Sequence, residues 1–125
     1  MRIRIKAGTR EFLAELNDSL TAAAIAQALP IATKASRWGK EIYCTIPVQA
    51  GRDPQARAEM AVGELGYWPD GCAFCIFFGP TPASRGDQPV AVTPVNPIGK
   101  LIEPVDLKAL DSVPTGCPVA IESAE

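Results

Sequence analysis

Short runs of alternating apolar and polar residues, ended by glycine or proline, constrain the fold of this chain most. In the first run, RIRIK at residues 2–6, Ile3 and Ile5 fall on one face and the cations on the other. A second run, EFLAEL at residues 11–16, follows Gly8, and its glutamates can pair with those cations across a hairpin. With 12 prolines and 10 glycines in 125 residues, the sequence predicts a succession of short strands.

Two segments predict helices instead. Residues 20–29, LTAAAIAQAL, follow the N-cap candidates Asn17, Asp18 and Ser19 and end before Pro30. This segment is apolar nearly all round, which predicts burial on most sides, so we expect the helix to cap one end of a barrel. Residues 105–110 predict a shorter second helix.

The rest of the chain predicts further strands at residues 31–36, 41–46, 60–68, 72–78, 95–102 and 117–122. A polar loop is predicted at about 49–55, a turn at 68–71, and a long connection over Gly79–Pro94 of the kind that often has a function. Many short strands favour a barrel or a sandwich, and the apolar helix favours a barrel because it needs an open end to cover. The sequence therefore predicts one mostly-β domain over residues 1–125, built as a closed barrel.

Charge and hydropathy argue against several classes of function. The formal charge is −2 and the basic residues are scattered, which argues against binding to nucleic acid. No apolar run approaches the ~20 residues that cross a bilayer, and the N-terminus alternates where a signal peptide would be continuously apolar. We expect a cytoplasmic protein that binds neither nucleic acid nor membrane.

Cys72 and Cys75 have the C-x-x-C spacing of some redox and metal sites. A redox pair works at a helix N-terminus, whereas this pair lies in a predicted strand, where an odd offset points the thiols to opposite faces. A zinc site would need Cys44 and Cys117 to converge on the pair, and the chain has no histidine to help. We expect four core thiols, with no metal and no cofactor.

Four segments carry a family resemblance. They are SRWGKEIY (36–43), GYWPDG (66–71), IFFGPTP (76–82) and VNPIGK (95–100). Together they resemble the small prokaryotic cyclophilin-like domain family of unknown function, over nearly the whole chain. The resemblance implies a closed β-barrel like that of cyclophilin.

The resemblance does not bring a prolyl isomerase activity with it. An isomerase of the cyclophilin type needs an arginine on a barrel strand, a Phe-x-x-x-Gln pattern, and histidine and tryptophan around a proline pocket. This chain has no histidine and no Phe-x-x-x-Gln, and Arg37 is the nearest candidate arginine. A shared fold does not by itself imply a shared activity.

Aromatic and polar residues in these segments form the candidate site. Glu41 and Tyr43 are two apart on a strand and share a face, where a carboxylate beside a phenol can bind a cationic or hydroxylated ligand. Core packing, strand ends and loop hydrogen bonds are the structural alternatives for every member of the set. The candidate pocket residues are Arg37, Trp38, Glu41, Tyr43, Trp68, Phe78, Thr81 and Asn96.

No set of catalytic groups is complete in this sequence. The serines and threonines have no histidine to activate them, and no glycine-rich phosphate loop is present. The leading hypothesis is a binding domain for a small molecule or short peptide with an apolar part and a cationic or hydroxyl group. The alternatives are a prolyl isomerase with altered machinery and an interaction or assembly module, self-association included.

Overall fold

The computed structural model describes all residues, 1–125, as one ten-stranded antiparallel sheet with two α-helices. The strands are β1 (Arg2–Ala7), β2 (Arg10–Leu16), β3 (Ile31–Lys34), β4 (Ser36–Arg37), β5 (Glu41–Thr45), β6 (Arg57–Glu59), β7 (Glu64–Trp68), β8 (Ala73–Phe77), β9 (Val90–Leu101) and β10 (Pro118–Ser123). The helices are α1 (Leu20–Ala28) and α2 (Leu107–Asp111), and one 3-10 turn spans Pro69–Gly71. The strand order is β3-β10-β1-β2-β9-β7-β8-β5-β4, and β6 pairs with β9.

The sheet is open, so the prediction of a closed barrel is wrong. Its two ends, β3 and β4, are not joined by a ladder, although only Ala35 separates them in sequence. The Ala35 N–H donates to Cys117 O and its carbonyl accepts from Gly116 N. Both backbone groups of Ala35 are therefore bonded to the segment just before β10. Between β3 and β5 the contact is a side-chain bond, from Thr33 Oγ1 to Thr45 O at 2.7 Å.

The predicted N-terminal hairpin is confirmed. Strands β1 and β2 pair in register with Lys6 opposite Glu11, and the turn lies at residues 8–9. Ile3 and Ile5 are buried, as their alternation predicts. Arg4 Nε lies 3.4 Å from a Glu11 carboxylate oxygen on the exposed face, an ion pair of little stabilising value in water.

Helix α1 begins at the predicted cap but is less buried than predicted. The Ser19 hydroxyl accepts a hydrogen bond from Ala22 N at 3.2 Å, which satisfies one free N–H of the first turn. Only three of its residues, Thr21, Ala22 and Ile25, are buried, and Leu20 is 90% exposed. Most of its apolar residues are alanines, whose small side chains lose little by facing water. Neither helix is long and apolar enough to cross a bilayer.

The predicted connection over Gly79–Pro94 is shorter than expected, because β9 already begins at Val90. Pro94 and Pro97 both lie inside this 12-residue strand. Each falls near an irregular part of a ladder, where the registers with β6 and with β7 shift. Proline is accepted in strands at such bulges because no ladder N–H is lost there.

The sheet separates two apolar clusters, and β8 is buried on both faces. Phe74 and Ile76 belong to a cluster of 26 buried residues, hereafter the main core. The alternate residues of β8 belong to a second cluster on the opposite face, hereafter the small cluster. The small cluster consists of Met60, Ala73, Cys75, Phe77, Ala91 and Val95.

Candidate functional site

Four of the predicted site residues line one cavity of about 200 Å³, on the side of the sheet that carries the small cluster. Glu41 is its only charged lining residue. The other walls are aromatic or aliphatic, and three of them come from β9. The lining residues are Trp38, Glu41, Tyr43, Trp68, Ala91, Val92 and Val95.

Strand alternation explains why these side chains meet. Glu41 and Tyr43 lie on the cavity face of β5, whereas Ile42 and Cys44 point into the main core. Trp68 ends β7 on the cavity side, with Tyr67 beside it in the main core. The shared face predicted for Glu41 and Tyr43 is therefore present.

The Trp68 indole is held in place from several sides. Its Nε1–H donates to Thr93 Oγ1 at 2.6 Å, and that hydroxyl donates to Asp70 Oδ2 at 3.0 Å. Gly71 lies against the ring, so closely that a Cβ there would stand 2.5 Å from two ring carbons. The Tyr43 ring meets it edge-on, with centroids 6.4 Å apart. Because its N–H is already bonded, the indole offers the cavity an apolar surface only.

Glu41 is a buried acid without a counter-ion. The residue is 6% exposed, forms no ion pair, and its carboxyl accepts no hydrogen bond from a nitrogen or hydroxyl of the chain. Arg37 and Lys40, the cations nearest to Glu41 in sequence, form ion pairs with Asp111 instead, at 2.9 and 2.7 Å. Burial raises the pKa of Glu41 from 4.5 to about 7, and a hydrogen bond from the Cys75 thiol offsets part of the effect.

Cys75 lies beneath the carboxyl in the small cluster. Its single thiol hydrogen can serve either Glu41 or the Ala73 carbonyl oxygen, which lies 3.7 Å from Sγ. Burial and the neighbouring carboxyl raise the pKa of Cys75 well above its ordinary value, so it stays a neutral thiol. Cys44 is also buried, and Cys72 and Cys117 are partly buried, all as free thiols.

Arg37 and Phe78 do not line the cavity. The Arg37 guanidinium donates to Gly39 O, Asp111 O and Val113 O, and it lies 5.2 Å from the ring centroid of Phe78. It therefore ties the end of α2 to the segment after β4. Phe78 is buried in the main core.

Thr81 and Asn96 also lie outside the cavity and have structural partners. The Thr81 hydroxyl donates to Val90 O, where the loop after β8 meets β9. Asn96 is fully buried; its amide donates to Gly51 O and its carbonyl accepts from Asp53 N, both at 2.9 Å. Asn96 thus holds the loop before β6 in place. This is the structural role, a hydrogen bond to a loop, that the sequence analysis gave as the alternative to ligand binding.

Sequence reasoning missed the wall that β9 provides. Ala91 and Val92 fall in a stretch predicted as a connection, and Thr93, which holds Trp68, falls there too. The run VAVTPV at residues 90–95 was the available signal, because β-branched residues favour strands.

A wider groove of about 820 Å³ lies beside the start of α1 and is less suited to hold a ligand. Only two of its 13 lining residues are hydrophobic. Several of its polar groups already have partners: Asn17 Nδ2 donates to Pro97 O, and Asp53 Oδ1 accepts from Gln55 N. The smaller cavity instead combines mostly apolar walls with one carboxyl group that forms no ion pair.

Comparison with known proteins gives a family and similar solved structures. The family model described as cyclophilin-like matches residues 1–122. The chain is 36% identical to the hypothetical protein AF2241 from Archaeoglobus fulgidus, with a TM-score of 0.83 over 99% of this chain and 95% of that chain. It shares its fold with McbB, solved in complex with tryptophan, at 13% identity and a TM-score of 0.67, over 98% of this chain and 44% of McbB. No curated protein matches significantly.

Proposed function

We propose that this chain, which belongs to the cyclophilin-like family, is a binding domain that holds a small molecule in the cavity at Glu41. One observation carries the proposal: side chains from separate segments converge on a single cavity. Three aromatic rings and three aliphatic residues surround one carboxyl group there. Apolar walls with a few placed polar groups are typical of ligand sites.

The cavity limits the size of the ligand. At about 200 Å³ it is below the ~300–1,000 Å³ of most drug-sized sites. It therefore suits a small metabolite, or one end of a larger molecule whose remainder stays in solvent. McbB, which shares the fold, was solved in complex with tryptophan, which supports the view that this fold can accommodate a small molecule.

A prolyl isomerase activity has no specific support at this cavity. Arg37 is the arginine nearest to such a role, and its guanidinium is engaged with backbone carbonyls outside the cavity. We expect a protease-coupled assay on an Xaa-Pro peptide to give the background rate.

Tryptophan fluorescence tests the proposed binding directly, because both tryptophans of the chain line the cavity. A screen of small non-fluorescent metabolites should give at least one that changes the emission and also raises the melting temperature, since a ligand of the native state stabilises it. Replacing Trp38 with alanine should weaken binding of that metabolite, as read from the remaining Trp68 emission.

Leu20→Ala is the matched control, because Leu20 is an exposed residue that lines the wider groove and not the cavity. It should bind like the wild type. If Leu20→Ala weakened binding and Trp38→Ala did not, the ligand would occupy the wider groove and the proposal would be wrong. A screen without a single emission change would also reject it.

A further inference from the structure

The carboxyl of Glu41 has neither the cation nor the set of several donors that normally accompanies a buried acid. Carboxylates are rarely buried in proteins unless a cation or several donors satisfy them. Arg37 and Lys40 are the nearby cations, and Asp111 binds both. No fully buried side-chain nitrogen or oxygen in the chain lacks a hydrogen-bond partner, so a Glu41 oxygen that the Cys75 thiol leaves free is accessible, and Glu41 lines the cavity. A ligand in the cavity can therefore reach this oxygen.

The walls around this carboxyl favour positive charge. The rings of Trp38, Tyr43 and Trp68 line the cavity, and the faces of such rings attract cations. The Trp68 N–H already donates a hydrogen bond to Thr93, so that indole has no donor left for an anion. No lysine or arginine lines the cavity, so an anionic ligand would meet no cation there and would be repelled by the ionised carboxyl of Glu41.

From these contacts we infer that the ligand is a small organic cation, an ammonium with short apolar substituents, whose charge pairs with Glu41 and whose substituents lie against Trp38, Tyr43 and Trp68. The inference rests on the proposed function, because it names the ligand class of the same cavity. The cavity holds the equivalent of about seven water molecules, at ~30 Å³ each, so the cation must be compact.

A neutral ligand that accepts a hydrogen bond from protonated Glu41 is the competing possibility, and pH separates the two. A cation requires the ionised acid, so its affinity rises with pH. A neutral acceptor requires the protonated acid, so its affinity falls. The other titratable groups around the carboxyl are the Cys75 thiol on β8 and the Tyr43 phenol on β5, while β9 and both indoles contribute none to the cavity.

Choline and its uncharged carbon analogue, in which a tert-butyl group replaces the trimethylammonium, are suitable probes because they share one shape and neither titrates. Their affinities can be measured by tryptophan emission near pH 6 and near pH 8. With a Glu41 pKa of about 7, the ionised fraction rises from about a tenth to about nine tenths. We expect the choline affinity to rise about tenfold across this range, and choline to bind more tightly than the analogue at the higher pH.

Glu41→Gln keeps the shape of the side chain and removes its charge. It should weaken choline binding near pH 8, abolish the pH dependence and leave the affinity for the carbon analogue unchanged. Glu103→Gln is the matched control, since Glu103 is exposed, unpaired and outside the cavity lining. It should bind both probes like the wild type, and melting curves establish that both variants are folded.

The outcomes separate the inference from the proposed function. If the carbon analogue binds as tightly as choline, or if affinity falls with rising pH, the cavity binds a ligand but the cation inference is overturned. If the metabolite screen and both probes leave the emission unchanged, the proposed function itself is overturned. A choline affinity that Glu103→Gln lowers as much as Glu41→Gln does would also overturn the inference, because it would reflect overall charge.

Discussion

The main core and the small cluster lie on opposite faces of the same strands, and they differ in how completely they are filled. The main core contains 26 buried residues and no charged side chain. The Tyr67 hydroxyl, which lies in this core, donates to Val48 O at 2.6 Å. The small cluster contains six buried residues and leaves a cavity of about 200 Å³ with the unpaired Glu41 at its wall.

This difference indicates that one face of the sheet mainly stabilises the fold and the other face holds the candidate site. The filled face supplies most of the apolar burial, which dominates the free energy of folding. The incompletely filled face contains a cavity and a buried acid, and both lower the free energy of unfolding. Such costs are common at binding sites, so the contrast itself supports recognition on the small-cluster side.

The largest expected effect compares two phenylalanines of β8 that belong to different clusters. Phe74→Ala should lower the free energy of unfolding by about 3–5 kcal/mol, because it leaves a hole in the filled main core. Phe77→Ala, its matched variant in the small cluster, should cost less, because only six buried residues form that cluster. Urea denaturation measures both, and equal losses would remove the contrast between the faces.

The next effect concerns the pH dependence of stability. Glu41 titrates at about 7 when folded and near 4.5 when unfolded, so the folded state binds more protons between these values. The free energy of unfolding should therefore fall as pH rises from 4.5 through 7, by about 3 kcal/mol from this group. Glu41→Gln should lack this fall and be more stable than the wild type above pH 7. If the free energy of unfolding of the two proteins varied with pH in the same way, the raised pKa of Glu41 would be refuted.

A smaller effect is expected where the 3-10 turn supports Trp68. Gly71→Ala places a methyl group 2.5 Å from ring carbons, so the indole must move. We expect a loss of about 1–3 kcal/mol and a shift of the Trp68 emission, measured with Trp38 replaced by phenylalanine. Gly86→Ala is the control, since a Cβ at Gly86 meets nothing within 4 Å. An unchanged emission in Gly71→Ala would show that the ring is not held as described.

The smallest effect on stability is expected at the mouth of the cavity. Val92 is 57% exposed although it lines the cavity, so Val92→Ser should change the free energy of unfolding by no more than about 0.5 kcal/mol. The same substitution should weaken ligand binding in the emission assay. Val62→Ser, at a similarly exposed valine outside the cavity, should change neither. A Val92 variant that binds like the wild type would place the ligand elsewhere.

Local signals account for what the sequence predicted well. The alternation at residues 2–6 was enough for the hairpin, and Ser19 followed by an apolar run was enough for the start of α1. The two-residue spacing of Glu41 and Tyr43 placed both on one face. These patterns depend only on neighbours in the chain.

Features that depend on distant contacts were missed. Whether β3 and β4 pair depends on where Ala35 directs its backbone groups, and no local pattern records that. Pro94 suggested a connection because the bulge that accepts it forms only where β9 pairs with β6. Arg37 binds carbonyls more than 70 residues further along the chain, which its sequence context could not indicate.

The most direct test of this account is the titration of the Glu41 side-chain carboxyl by carbon-13 NMR, without and with choline. The account predicts a pKa of about 7 in the free protein, because the acid is buried without a counter-ion, and a clear decrease when choline is added. A carboxyl that titrates near 4.5 in the free protein, or whose pKa choline leaves unchanged, would contradict it.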